Sequence, residues 1–330
     1  MNMKLLRYVL LCLSVFLMAA APAAGAQAKR TVKRPSAKPS SAKASEGQLQ
    51  AVEVSAWAGK KFVLLEKPAL YCEYGYELYS SPLMAAARAP IDTALFTKYR
   101  RARCDVFAGR TLTVVSAIKE KKGRGPEYGV TFSEPLSGKK LYVKTADNVY
   151  HEVAYAPDRE AAEKRWLGKT VFAARGFITD FSGNNPVTVK VDLRDSLLVT
   201  GVKFGLTPLP AKPLWLMVES RAGAKGTIPL CFSWTNVAKK LRREGNAWDD
   251  DLYETSPAAF CEAGSAVWET INAHHVNVTM TREQVRMSWG RPLDMKKACE
   301  YYGAPRECWT YESQNLYFDE KELVGIEEKP

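Results

Sequence analysis

The chain has 330 residues, 46% of them hydrophobic and 11% aromatic, with a net charge of +11. This length and apolar content suffice for two or three packed units and exclude a wholly disordered chain. Residues 1–46 carry +7 of the +11, so the rest of the chain is only mildly basic; with no nucleic-acid-reading motif beside that charge, no nucleic-acid partner is expected.

Lys4 and Arg7 precede a mostly apolar run from Tyr8 to Ala21, followed by Pro22 and Ala24-Gly25-Ala26. This is the pattern of a secretory signal peptide over residues 1–26, with cleavage expected after Ala26. The apolar run is about 14 residues, too short to cross ~30 Å of hydrocarbon. No later apolar run is long enough to span, so the mature chain is expected to lack a transmembrane segment and to be periplasmic or secreted. Residues 27–50 follow as a linker in which Lys29, Arg30, Lys33, Arg34, Lys38 and Lys43 face only Glu46. Such a stretch has too little apolar surface to offset chain entropy and reads as disordered. Its charge suits contact with an anionic surface, each basic residue contributing ~1 kcal/mol near anionic lipid. A solvated spacer is the plainer reading.

Two β-rich segments come next, roughly 51–155 and 156–245. Trp57-Ala-Gly-Lys60 leads into Lys-Phe-Val-Leu-Leu, and Trp166-Leu-Gly-Lys169 leads into Thr-Val-Phe-Ala-Ala. Downstream, Thr111–Val115 and Ser196–Thr200 read as matching strands, followed by Tyr128–Phe132 and Leu214–Val218, then by Lys140–Lys144 and Thr227–Phe232. Short strands between Gly, Pro and Lys turns argue for small antiparallel barrels or sandwiches. The matched points are 109 residues apart at the tryptophans but 85 apart at Thr111 and Ser196, so the repeat is uneven. In strand number and rhythm both segments resemble bacterial SH3-like domains. Within the first, Tyr71, Tyr74, Tyr76 and Tyr79 are the candidate binding residues, because four tyrosines in nine positions do not all turn inward easily. An SH3-type groove uses such rings to stack on an extended ligand; core packing is the competing use of each ring.

The cysteines fit an exported chain. Apart from Cys12 in the apolar run, they are Cys72, Cys104, Cys231, Cys261, Cys299 and Cys308. Sequence leaves 15 connectivities open for six cysteines. The sequential pairing 72–104, 231–261 and 299–308 would place each bridge inside or beside one segment, each contributing ~2–4 kcal/mol.

Residues 246–330 read as a helical linker and an α+β module. Thr281-Arg-Glu-Gln284 fits a capping box, with Met280 and Val285 placed for a hydrophobic staple. Trp289 shares a helical face with Val285, Gly290 is a stop, and Pro292 prevents continuation. Cys299 and Cys308 are expected to pin a loop before the first strand. Strands are expected over Glu307–Tyr311, Asn315–Phe318 and Leu323–Ile326, the last two joined by the polar turn Asp319–Glu322. The ordered set Met280-Thr281, Trp289-Gly290-Arg291-Pro292, Trp309-Thr310-Tyr311 and Leu316-Tyr317-Phe318 resembles the SmpA/OmlA family of small outer-membrane assembly lipoproteins and related β-lactamase-inhibitor-like modules. That resemblance implies a helix-plus-antiparallel-sheet domain making protein–protein contacts, with no catalytic residue to carry over. Thr279 stands where the family has glycine, and no lipid-attachment motif accompanies it.

The expected fold is therefore mainly β: tandem small SH3-like barrels followed by a helix-plus-antiparallel-sheet domain. No metalloprotease, phosphate-loop or nucleophile-elbow motif occurs. His274 and His275 are adjacent and would face opposite ways on a strand. Asp249-Asp250-Asp251 lacks the spacing of a calcium loop. No cofactor or metal is expected. The leading expectation is an exported, non-catalytic binding or scaffold protein of a bacterial envelope, contacting envelope proteins or a wall polymer. The alternatives are an envelope hydrolase or hydrolase inhibitor with a cleft between modules, and a peptidoglycan- or glycan-binding module using the tyrosines.

Overall fold

The computed structural model describes residues 50–82, 91–120, 127–145, 148–181, 186–206, 212–242, 245–262 and 264–329. The expected signal peptide and all but residue 50 of the basic linker lie outside the described residues. The remainder is mainly β, built as three antiparallel sheets with short helices between strands.

The first sheet contains β1 (Lys61–Leu64), β2 (Tyr76–Tyr79), β3 (Arg101–Ala102), β4 (Thr111–Lys119), β5 (Tyr128–Ser133), β6 (Lys140–Thr145) and β7 (Val153–Tyr155), in the order β3-β2-β6-β5-β4-β1-β7. Helices α1 (Ala69–Cys72) and α2 (Cys104–Phe107) lie in its connections. Helix α3 (Ala156–Trp166) leads to the second sheet: β8 (Thr170–Ala173), β9 (Phe177–Asp180), β10 (Val187–Lys190), β11 (Leu197–Phe204), β12 (Leu214–Ser220), β13 (Lys225–Leu230) and β14 (Leu252–Tyr253). Its order, β10-β9-β13-β12-β11-β8-β14, repeats that of the first sheet strand for strand, and its last strand lies beyond residue 245.

The repeat extends to individual hydrogen bonds. Gly59 and Gly168 have φ of +77° and +74°, which a glycine adopts without steric cost. Their amides donate to the Val114 and Val199 carbonyls at 2.8 and 2.9 Å, and Lys60 and Lys169 each donate back to the preceding tryptophan carbonyl at 2.8 Å. The ladder from β4 to β5 then skips Val115, and the ladder from β11 to β12 skips Thr200 at the matching place. Such bulges increase local twist and help a sheet curl over its own apolar face. Trp57 and Trp166 sit fully buried in the two separate cores. Burying a large apolar side chain contributes ~1.5–3 kcal/mol, so each tryptophan anchors its turn against its sheet. The uneven spacing, 109 against 85 residues, is absorbed between β1 and β4, where the first copy carries α1, α2 and a longer β2–β3 connection.

The connection after β13 reaches the first sheet. Asn236, at φ 58°, accepts from the Tyr150 amide at 2.8 Å and donates to the Tyr150 and Val153 carbonyls at 2.7 Å each. Thr235 Oγ1 accepts from the Val52 amide at 2.9 Å, and Arg242 pairs with Glu53.

The third sheet is a meander of β15 (Asp294–Tyr301), β16 (Ala304–Thr310), β17 (Gln314–Asp319) and β18 (Glu322–Glu328). Helices α4 (Ala266–Asn272) and α5 (Arg282–Trp289) contribute Trp268, Ile271, Val285 and Met287 to a core shared with Trp309, Leu316, Phe318 and Leu323. The capping box is complete: Thr281 Oγ1 accepts from the Gln284 amide at 3.3 Å and Gln284 Oε1 accepts from the Thr281 amide at 2.9 Å. Asp319 pairs with Glu322 across the expected turn.

Two expectations are corrected. Asp294–Tyr301 is a strand rather than a loop; its residues are mostly exposed at a sheet edge, so it shows no apolar alternation to announce it. Cys299 therefore meets Cys308 as a cross-strand disulfide, with Cα atoms 6.1 Å apart, and Cys72 pairs with Cys104 at 5.2 Å. Cys231 and Cys261 are not paired: both are free and buried, Cys231 in the second sheet's region with its thiol donating to the Ser233 carbonyl and Cys261 in the core of the helical module.

Candidate functional site

The tyrosine-rich segment is built by the turn at Gly75. Its φ is +68°, and a Cβ there would lie 2.5 Å from the Ala102 carbonyl oxygen, so only glycine fits. Past this turn β2 alternates: Tyr76 and Leu78 enter the core, while Glu77 faces solvent and Tyr79 is half-buried. Tyr76 is thus a core residue with no exposed surface, and the expectation that it lines a binding face is corrected. Its hydroxyl donates to the Leu65 carbonyl at 2.7 Å, and burial, followed by the nearby Glu152 charge, raises its pKa. Tyr71, on α1, is exposed but does not line the cleft formed by its neighbours.

That cleft has a volume of about 450 Å³ and is lined by Tyr74, Tyr79, Tyr99, Ser80, Arg100 and Arg101, among others. Tyr74 and Tyr99 stack with centroids 5.7 Å apart and planes 28° apart, yet are 48% and 45% exposed. Lys98 Nζ lies 5.1 Å from the Tyr99 centroid, and Arg101 pairs with Glu77 at 3.1 Å. Two aromatic faces are therefore presented to solvent beside guanidinium groups. Tyr99 and Arg100 come from the β2–β3 connection, which is longer than its counterpart in the second copy, and they complete a cleft whose other lining residues include Tyr74, Tyr79 and Arg101.

A partly buried network lies behind the segment that carries Tyr74 and Tyr79. Glu152 accepts from the Glu77 amide and the Tyr150 hydroxyl, each at 2.6 Å, and pairs with Lys67. Lys67 also donates to the Gly75 carbonyl at 2.8 Å and lies 4.7 Å from the Tyr76 centroid. Burial, then Glu152, pushes the Tyr150 hydroxyl well above its usual pKa, so it remains a donor at any physiological pH. The Cys72–Cys104 disulfide closes the same region from the side. The sequence carries no sign of Lys67 or Tyr150 and shows Glu152 beside His151 with no partner pattern, because Lys67 and Glu77 lie 85 and 75 residues from Glu152 and no spacing signals those contacts.

The remaining candidates act in the fold. Met280 and Val285 are buried together at the start of α5. Trp289 donates to the His274 carbonyl at 2.8 Å and meets Tyr311 edge-on at 5.2 Å, while Tyr311 donates to the Gly290 carbonyl at 2.9 Å, next to Pro292. Trp309, Leu316 and Phe318 are core, and Tyr317 stacks on Tyr301 at 4.0 Å on the sheet's other face. Asp250 lies within 4 Å of Arg286 and Arg291, and Asp251 pairs with Lys212. Among the described residues no group of three or more His, Cys, Asp or Glu side chains is arranged to hold a metal ion.

One cluster has the residue types of a nucleophilic site. Asp158 accepts from the Ser233 hydroxyl at 3.0 Å, and Cys231 is adjacent. Burial raises the Asp158 pKa to about 7, partly offset by the Ser233 hydrogen bonds. All three side chains are buried, so no substrate reaches them in this conformation. Comparison with protein-family models, with curated proteins and with solved structures finds no match.

Proposed function

We propose that this is an exported, non-catalytic binding protein of a bacterial envelope, whose principal ligand surface is the cleft around Tyr74, Tyr79 and Tyr99. The two repeated sheets are read as SH3-like modules, and the terminal helix-plus-sheet unit as an SmpA/OmlA-like contact module. The stacked, half-exposed Tyr74–Tyr99 pair carries the reading. Exposed rings lose the stabilisation of burial, and here the partly buried Lys67–Glu152 pair braces the turn and strand beside Tyr74 and Tyr79 through the Gly75 carbonyl and the Glu77 amide, an arrangement suited to ligand stacking. The rings and adjacent hydroxyls suit a wall glycan strand; the arginines suit its carboxylates. Export is supported by the signal-like N-terminus and by the two disulfides.

The test is sedimentation of the purified protein with isolated peptidoglycan. Tyr74→Ala and Tyr99→Ala are each expected to weaken binding at least tenfold while leaving the melting temperature within about 2 °C, since neither ring is a core residue. Unchanged binding in both variants, or turnover of wall substrates abolished by a single acidic substitution, would overturn the reading.

A further inference from the structure

The repeated sheets can be matched pair by pair. Val114 opposite Phe132 corresponds to Val199 opposite Val218, and Val130 opposite Val143 to Leu216 opposite Ile228. Tyr79 opposite Tyr142 corresponds to Thr179 opposite Thr227. Continuing this register, Ile118 opposite Gly129 corresponds to Lys203 opposite Trp215, and Ser81, two residues past Tyr79, corresponds to Phe181.

In the second copy these positions are filled from within. Phe181 stacks on Trp215 with centroids 3.9 Å apart and planes 23° apart, and Lys203 Nζ lies 5.2 Å from the Trp215 centroid. The chain makes room for the indole at Gly205, where a Cβ would lie 2.3 Å from Trp215 Nε1. The first copy has no ring at either place. It has Ser81 and Gly129, and between them a groove of about 300 Å³ whose lining includes Pro82, Ile118, Tyr142 and Lys144. Ile118 is 66% exposed at its edge, and a glycine inside a strand marks a place where another group comes close.

From this we infer that the first-copy groove is a docking site for an aromatic side chain presented by a partner polypeptide. The occupant takes the place that Phe181 and Trp215 occupy in the second copy. Those residues serve as the template: a ring lies flat on the strand pair, with the Lys144–Glu120 ion pair (2.7 Å) at the rim. This groove adjoins the tyrosine cleft, with Ser81 lining both, but none of Tyr74, Tyr79 and Tyr99 lines it, and the inference does not depend on the reading proposed for the cleft.

The full chain, labelled with 15N valine and tyrosine, would be titrated with N-acetyl-tryptophanamide, N-acetyl-phenylalaninamide and N-acetyl-alaninamide, following the Val130 and Tyr142 amides. The aromatic amides are expected to bind at millimolar concentration and the alanine amide at least tenfold more weakly. Gly129→Trp would fill the groove as the second copy does. The added Cβ comes closest to the end of the Glu120 side chain, at 3.1 Å, and meets backbone only at the Ile118 carbonyl, 4.0 Å away, so the fold is expected to be kept and the probe-induced shifts lost. If Gly129→Trp fails to fold, Ser81→Phe takes its place with the same expected loss. Tyr74→Ala should leave the shifts intact, which separates this site from the tyrosine cleft. Equal shifts with all three amides, no shifts, or shifts that persist in the filled variant would overturn the assignment. So would movement of the same resonances on dilution without probe, which would assign the groove to a second copy of this chain.

Discussion

Replacing Asn236 by glycine tests what joins the two repeated sheets. The side-chain amide satisfies three backbone groups of the first sheet: the Tyr150 N–H and the Tyr150 and Val153 carbonyls, all within 2.8 Å. Glycine keeps the φ of 58° without strain, so the substitution removes the amide and leaves the backbone where it is. Each buried backbone group left without a partner costs about 1–3 kcal/mol, and water recovers part of that where it can enter. The Tyr150 carbonyl keeps the Val153 amide at 3.3 Å, so two groups are orphaned and the loss sums to about 2–5 kcal/mol. Equilibrium urea denaturation followed by tryptophan fluorescence measures the loss; with a slope of ~3 kcal/mol/M the midpoint falls by about 0.7–1.7 M. The two sheets are also expected to unfold in separate steps once the connection after β13 no longer holds them, giving a shallower transition. A loss below 1 kcal/mol with an unchanged slope would refute the idea that Asn236 couples the sheets.

Two further stability predictions follow from the same geometry. Thr279 is an exposed β-branched residue held at φ 77°, a conformation costing a non-glycine residue about 1–2 kcal/mol. Thr279→Gly should stabilise by about 0.5–1 kcal/mol after the added unfolded-chain entropy, raising the melting temperature by a few degrees in calorimetry; a decrease would show that the Thr279 side chain contributes a contact that outweighs the strain. Asp158 has a folded pKa of about 7 against an ordinary 3.8, so the folded state holds a proton that the unfolded chain has released. The contribution of this group is then most favourable below pH 4 and declines as pH rises through 7, by up to ~4 kcal/mol. Asp158→Asn should flatten that decline, as read from melting temperatures between pH 4 and 8, and a slope identical to that of the unchanged protein would argue against a buried carboxyl.

Much of the architecture was legible locally. The Trp-x-Gly-Lys turns each need a positive-φ glycine behind a tryptophan, and that requirement is written in four consecutive residues. The capping box at Thr281–Gln284 and the polar turn at Asp319–Glu322 are likewise satisfied by neighbours in sequence. The candidate cleft was legible only in part. Tyr74 and Tyr76 stand two residues apart in one tyrosine run, yet the turn at Gly75 sends one to solvent and the other to the core. Strand β15 escaped notice because an exposed edge strand needs no apolar face.

By itself the sequence determined whatever depends on residues a few positions apart: strand periodicity, turns, caps, the concentration of base before residue 47 and an uneven repeat. Tertiary structure alone decided which tyrosines face water, which cysteines meet, that Glu152 meets Lys67 and the Glu77 amide, and that Asn236 ties one sheet to the other. Each of these depends on groups brought together from distant parts of the chain by burial and hydrogen bonding. Those forces act on the folded arrangement, and no local pattern in the sequence records their outcome.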